Sequence, residues 1–173
     1  MSLPLMRFLL PPSLVIASVA GLVLLFSLWW LYFSEPAAEG LENRRDRYLF
    51  WNYGHYFLYA ALAAVGAGIE IAVRSVTSDL ESSELVVGYS LALPVALVIL
   101  LLWILHAPMV ERVSIPRTAT VIAAVAILAL PFAAGSLGTI GVAVAIAAVT
   151  VVLLFVALLS GRMHANALES AEG

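Results

Sequence analysis

Thr118–Gly161 reads TATVIAAVAILALPFAAGSLGTIGVAVAIAAVTVVLLFVALLSG, 44 residues without a charge between Arg117 and Arg162. A soluble domain cannot bury such a run, whereas a bilayer calls for one, because about 20 mostly apolar residues carry a helix across the hydrocarbon core. Drawn as one helix the run would be about 66 Å long, roughly twice the hydrocarbon thickness. It must therefore fold back. Gly135-Ser136-Leu137-Gly138, preceded by Pro131, supplies turn chemistry near the midpoint. Two spans are predicted, Thr118–Ala134 and Thr139–Ser160, the first near the lower length limit.

Working outward, three more uncharged runs precede it: Leu14–Phe33, Tyr48–Ile69 and Leu85–Ala107. The sequence thus predicts an all-α, multi-pass transmembrane helical bundle of about five spans, at 14–33, 50–73, 85–107, 118–134 and 139–160. They form a single integral membrane domain over 1–173. Composition agrees, with 64% hydrophobic and only 11% charged residues, far below the roughly 25% charge of soluble domains. Cysteine is absent, which removes disulfides, thiolate nucleophiles and cysteine metal sites. All eight basic residues are Arg and form no long block, so the expected partner is the lipid bilayer and not nucleic acid. Arg7 and the small residues Ala17-Ser18-Val19-Ala20 resemble a cleaved leader. Pro11-Pro12 and the continuation into Trp29-Trp30-Leu31-Tyr32-Phe33 favour a retained span with an interfacial aromatic anchor.

Five spans put the N-terminus, the 74–84 loop and the 135–138 turn on one side, with Arg7 and Arg74. The other side holds Arg44, Arg45, Arg47, Arg112, Arg117 and Arg162. The positive-inside rule makes that second side cytoplasmic, with the N-terminus outside and the C-terminus in the cytoplasm, in the cell membrane. Trp29, Trp30, Tyr32, Trp51, Tyr53, Tyr56 and Trp103 all fall near the same rim, the depth that amphipathic rings prefer. The 34–47 connector mixes Glu35, Glu39, Glu42 and Asp46 with three Arg. It reads as a solvated charged loop, with a short surface helix as the alternative.

Chemistry concentrates on the second span. Steps of three and four back from Glu70 give Gly66, Ala63, Tyr59, Tyr56 and Asn52, with His55 and Arg74 beside the same line. That line is polar at its ends and small in the middle. It is expected to be buried at the centre of the bundle, with Ala63, Gly66 and Gly68 as packing positions. Glu70, His55, Tyr59, Asn52 and Arg74 make up the candidate intramembrane polar site. The milder readings are an interfacial Glu70–Arg74 ion pair at i,i+4 and a His55 that hydrogen-bonds across helices. His55 and Glu70 lie about 22 Å apart along the axis, too far to pair directly. His106 reads as an interfacial residue and His164 as a tail residue.

No catalytic residue, metal site or cofactor is expected, and the chain is not read as an enzyme. Gly88-Tyr89-Ser90-Leu91-Ala92 lacks the second glycine of a nucleophile elbow. Gly66-Ala67-Gly68 lacks the third glycine of a dinucleotide fingerprint and has no preceding strand. Three scattered His have no metal-ligand spacing.

Leu28-Trp29-Trp30-Leu31-Tyr32-Phe33, then Tyr53-Gly54-His55, then Gly66-Ala67-Gly68-Ile69-Glu70, resemble the later part of the bacterial low temperature requirement A (LtrA) proteins. The resemblance covers the C-terminal half of that family only. It implies a multi-pass cytoplasmic-membrane protein linked to growth at low temperature, with an undefined molecular activity. A transport-type or proton-linked role at Glu70, His55 and Tyr59 is the leading expectation. A non-transporting membrane interaction subunit or a truncated relic is the alternative. A transporter built from two halves would need self-association or a chain supplying the missing N-terminal half.

Overall fold

The structure, a computed structural model, describes residues 11–34, 48–77, 83–107 and 116–172. These are all helical, without a strand: α1 (Pro12–Phe33), α2 (Tyr48–Thr77), α3 (Glu84–His106), α4 (Arg117–Ala129), a 3-10 turn (Leu130–Ala133) and α5 (Ala134–Glu172). The 34–47 connector, apart from Ser34, lies outside the described residues, as does the side chain of His164. Helix is the physical necessity here, since hydrocarbon offers no partner to an unpaired backbone N–H or C=O. The ends follow local chemistry. Pro12 opens α1 where a missing N–H costs nothing. Ser83 caps α3, its Oγ accepting from the Val86 N–H at 3.4 Å.

Four helical stretches are long and apolar enough to cross a membrane: Pro12–Phe33, Leu49–Val76, Glu84–His106 and Arg117–Met163. The expected number was five. The difference lies in the last stretch, 47 residues long, where no charge or loop divides the helical backbone. Its regularity is nevertheless interrupted by the 3-10 turn at Leu130–Ala133 and by Gly138, whose φ of 69° and ψ of 169° lie outside the helical region. Such a positive φ suits only a residue without Cβ.

α3 is the central helix. It is apolar all round, as a helix surrounded by others should be, and buries Leu91, Val95, Ile99, Leu102 and Leu105. Its heaviest packing is with α2, and α4 and α5 also lie against it, while α1 packs mainly on α5. α2 and α3 run antiparallel, with Gly54 against Leu105 at one end and Gly68 against Ser90 at the other. Around them Leu24, Leu28 and Leu31 of α1, Leu58 and Val65 of α2, Ile127 of α4 and Val142 and Ile146 of α5 complete the core.

The approach at Gly68 has a chemical cause. Pro94 lies inside α3 and has no N–H, so the Ser90 carbonyl four residues earlier loses its helical donor. A Cβ at position 68 would lie 2.5 Å from that carbonyl oxygen and 2.9 Å from Leu91 Cα. Glycine therefore lets the α2 backbone approach the freed carbonyl, where any side chain would clash. Gly66, by contrast, would have nothing within 4 Å of its Cβ. We expect Gly68→Ala to destabilise the bundle by about 1–3 kcal/mol, the usual cost of overpacking. Gly66→Ala should be neutral or stabilising by up to about 1 kcal/mol, from helix propensity. Thermal midpoints in detergent measure both; equal effects would refute the contrast.

Candidate functional site

The two buried imidazoles, His55 and His106, lie at one end of the bundle, where α1 finishes, α2 begins and α3 finishes. His55 sits one turn after Trp51 on the inward side of α2, and its Nδ1 lies 2.7 Å from the Trp51 carbonyl oxygen. A carbonyl only accepts, so Nδ1 carries the hydrogen and Nε2 is left as an acceptor. The Tyr32 hydroxyl, 3.0 Å away across the α1–α2 interface, donates to that Nε2. The hydrogen-bond network thus assigns the tautomer.

His106 repeats the arrangement on α3. Its Nδ1 donates to the Leu102 carbonyl at 2.8 Å, which again makes Nε2 the acceptor. The side chain is only 2% exposed, and its Nε2 has no hydrogen-bond partner among the described residues. Rings close the cluster. Trp51 lies 4.5 Å from the His55 centroid and 5.5 Å from that of His106. Tyr32 lies 5.9 and 6.1 Å from the same two rings. Tyr59 flanks His55 at 5.8 Å. Close by, the Arg117 guanidinium sits 5.6 Å over Trp103, a cation–π contact at the start of α4.

A family model for the bacterial low temperature requirement A protein (LtrA) matches residues 9–157. The chain belongs to the LtrA family. No curated protein and no solved structure matched it in the same comparisons. This LtrA-family chain is accordingly a multi-pass membrane protein, and the match extends well beyond the motifs between Leu28 and Glu70 that suggested the family.

The line of residues expected at the bundle centre lies elsewhere. Asn52, Tyr56, Tyr59, Ala63, Gly66 and Glu70 all face outward. α2 packs on the opposite face instead, through Leu58, Ala61, Val65, Gly68 and Ala72, with the buried His55 at the edge between the two faces. Small residues occur on both faces, so spacing did not distinguish them. Of the expected packing positions Gly68 alone meets a neighbouring helix. Glu70 and Arg74 form their ion pair at 2.7 Å, with side chains 61% and 66% exposed, at the end away from His55. Of the proposed site residues, only Tyr59 stays beside His55.

Sequence reasoning missed Tyr32 and His106. Each closes an apolar run next to Trp residues, which reads as an interfacial belt. What could have revealed them is their common depth with His55, visible once α1, α2 and α3 are drawn antiparallel. In the LtrA-family chain Tyr32→Phe leaves a buried imidazole acceptor unpaired and should cost about 1–3 kcal/mol. Glu70→Gln, in an exposed pair, should change stability by less than about 1 kcal/mol. Chemical or thermal unfolding in micelles ranks the two, and a larger loss for Glu70→Gln would contradict the site described.

Proposed function

We propose that the protein carries out a transport-type, proton-linked function in the cytoplasmic membrane, with His55 as the group that takes and releases the proton. The supporting observation is the 3.0 Å bond between Tyr32 Oη and His55 Nε2 in a buried cluster with a second imidazole. Imidazole is the side chain whose charge changes near neutral pH, and an ionisable group inside a span is a functional candidate by default. The proposal moves the weight from Glu70 to His55. Glu70 and Arg74 remain as a surface pair at the opposite end, and Tyr59 as the ring beside the imidazole.

The same proposal has five crossings with the C-terminus cytoplasmic, and correspondence to the later half of longer family members. α4 starts beside Trp103 at the His55 end, and the following turn sets Pro131 against Gly88 at the opposite end. Gly138 then lies beside Ser75 and Val76, so α5 has a full bilayer thickness to recross. The Arg excess on the 34–47 and 108–117 loops supports the orientation. Because the native chain has no cysteine, Ser136→Cys would be its sole thiol. An impermeant maleimide should label it on intact cells; four crossings would leave it shielded in the bilayer.

Function is tested in vesicles. Proteoliposomes of the wild type should collapse an imposed pH gradient faster than empty vesicles, read with an enclosed pH dye. His55→Gln should return the rate to that of empty vesicles, whereas Glu70→Gln should keep most of it. A wild-type rate equal to the empty-vesicle rate would reject the proton-linked reading. A second reading, an interaction subunit in a homo-oligomer or with another membrane chain, draws on the outward face of α2. Between Tyr59 and Ile71 that face exposes only Ala, Gly and Glu70, whereas α1, α3, α4 and α5 turn large apolar side chains outward. Crosslinking in the native membrane, taken with the vesicle rate, distinguishes the readings: one defined band shift together with a wild-type rate equal to that of empty vesicles favours the subunit.

A further inference from the structure

A groove with a volume of about 670 Å³ runs between α1 and α2, with Val98 and Leu102 of α3 as its floor. Its lining is apolar except for the two tyrosines, Tyr32 and Tyr59. Floor and rim differ sharply in accessibility: Leu58 and Val98 are each 1% exposed, while Phe26 and Trp29 at the rim are more than half exposed. The groove therefore opens sideways between two spanning helices, and the medium it meets is hydrocarbon.

Its length identifies the occupant. Along α1 the lining extends from Leu22 to Phe33, about 16 Å of helix, or roughly half of the ~30 Å hydrocarbon core. Beyond Leu22 the groove closes. A Cβ on Gly21 would lie 3.1 Å from Ile69 Cγ2, so α1 and α2 are already in contact there. A partner helix that spans the bilayer would need the whole depth and meets this closure midway. A lipid tail needs only one leaflet. At the open end lie Trp29 and Trp30, at the interfacial depth that Trp favours, together with the Tyr32 hydroxyl.

We propose that the groove holds one acyl chain of a phospholipid from the leaflet at the Tyr32 end, its ester and phosphate oxygens level with the Tyr32 hydroxyl. The tail fills the space that α1 and α2 leave open between the Gly21–Ile69 contact and the Tyr32–His55 bond. This inference goes beyond the proton-linked reading and rests only on the protein's place in a bilayer. The two can therefore fail separately.

Native mass spectrometry provides the test. Protein stripped of lipid in a mild detergent is given 1-palmitoyl-2-oleoyl phosphatidylglycerol, and the retained lipid is counted. The wild type should hold one lipid per chain. Leu62→Trp, which fills the groove from the α2 wall, should weaken retention at least about tenfold, the equivalent of roughly two buried methylenes. Leu93→Trp adds the same bulk on an exposed position of α3 away from the groove and should leave retention unchanged. If Leu62→Trp does not extract as a monodisperse species, Leu25→Trp on the α1 wall serves as the filling variant. No lipid on the wild type, equal loss in the filling and control variants, or a lipid-free dimer would each overturn the proposal.

Discussion

A hydrocarbon solvent that offers no hydrogen bond constrains every part of this protein. It demands continuous helices and leaves each polar side chain in a span to find a partner within the protein. Most do so on their own helix. The hydroxyls of Ser18, Ser27 and Thr150 bond to the carbonyls of Leu14, Val23 and Ile146, four residues earlier. His55 and His106 do the same through Nδ1. Among the described residues few polar side chains are left to join one helix to another, and two that do so are tyrosines. Tyr32 reaches His55 at one end, and Tyr89 donates to the Leu128 carbonyl at the other.

Association between the helices consequently depends on shape. α3 occupies the centre because it is apolar on all sides, and its internal proline is matched by Gly68 opposite the carbonyl it frees. α1 and α2 meet where Gly21 faces Ile69 and again where Tyr32 bonds to His55. Between these contacts their side chains diverge into the groove, which lies next to the His55 cluster and shares Tyr32 and Tyr59 with it. The site and the groove are thus two consequences of one packing geometry, with a buried polar end and an apolar side opening.

The orientation of α2 decides which residues can do chemistry. Had the line through Glu70, Gly66 and Tyr59 faced inward, a carboxylate would have stood near the bundle interior. The inward position of Leu58, Val65 and Gly68 reverses this. It leaves Glu70 to an exposed ion pair and gathers His55, His106, Trp51 and Tyr32 around a shared space. Between Tyr59 and Ile71 the outer face of α2 then exposes only small residues and Glu70, while Tyr53, Tyr56 and Phe57 make its first half bulky.

The helical class, the membrane solvent and the positions of the apolar runs were legible in the sequence, because hydropathy over about 20 residues is a local property set by the thickness of the hydrocarbon core. Local spacing also gave the Glu70–Arg74 pair and the break near Gly138, where i,i+4 neighbours and turn residues act within a few positions. The inward face of α2 was not legible, since Ala and Gly lie on both faces of the helix and only contact with its neighbours selects between them. Tyr32 and His106 became partners of the His55 site for the same reason. They are 23 and 51 residues away from His55 in the chain, and antiparallel packing alone sets the three rings at one depth.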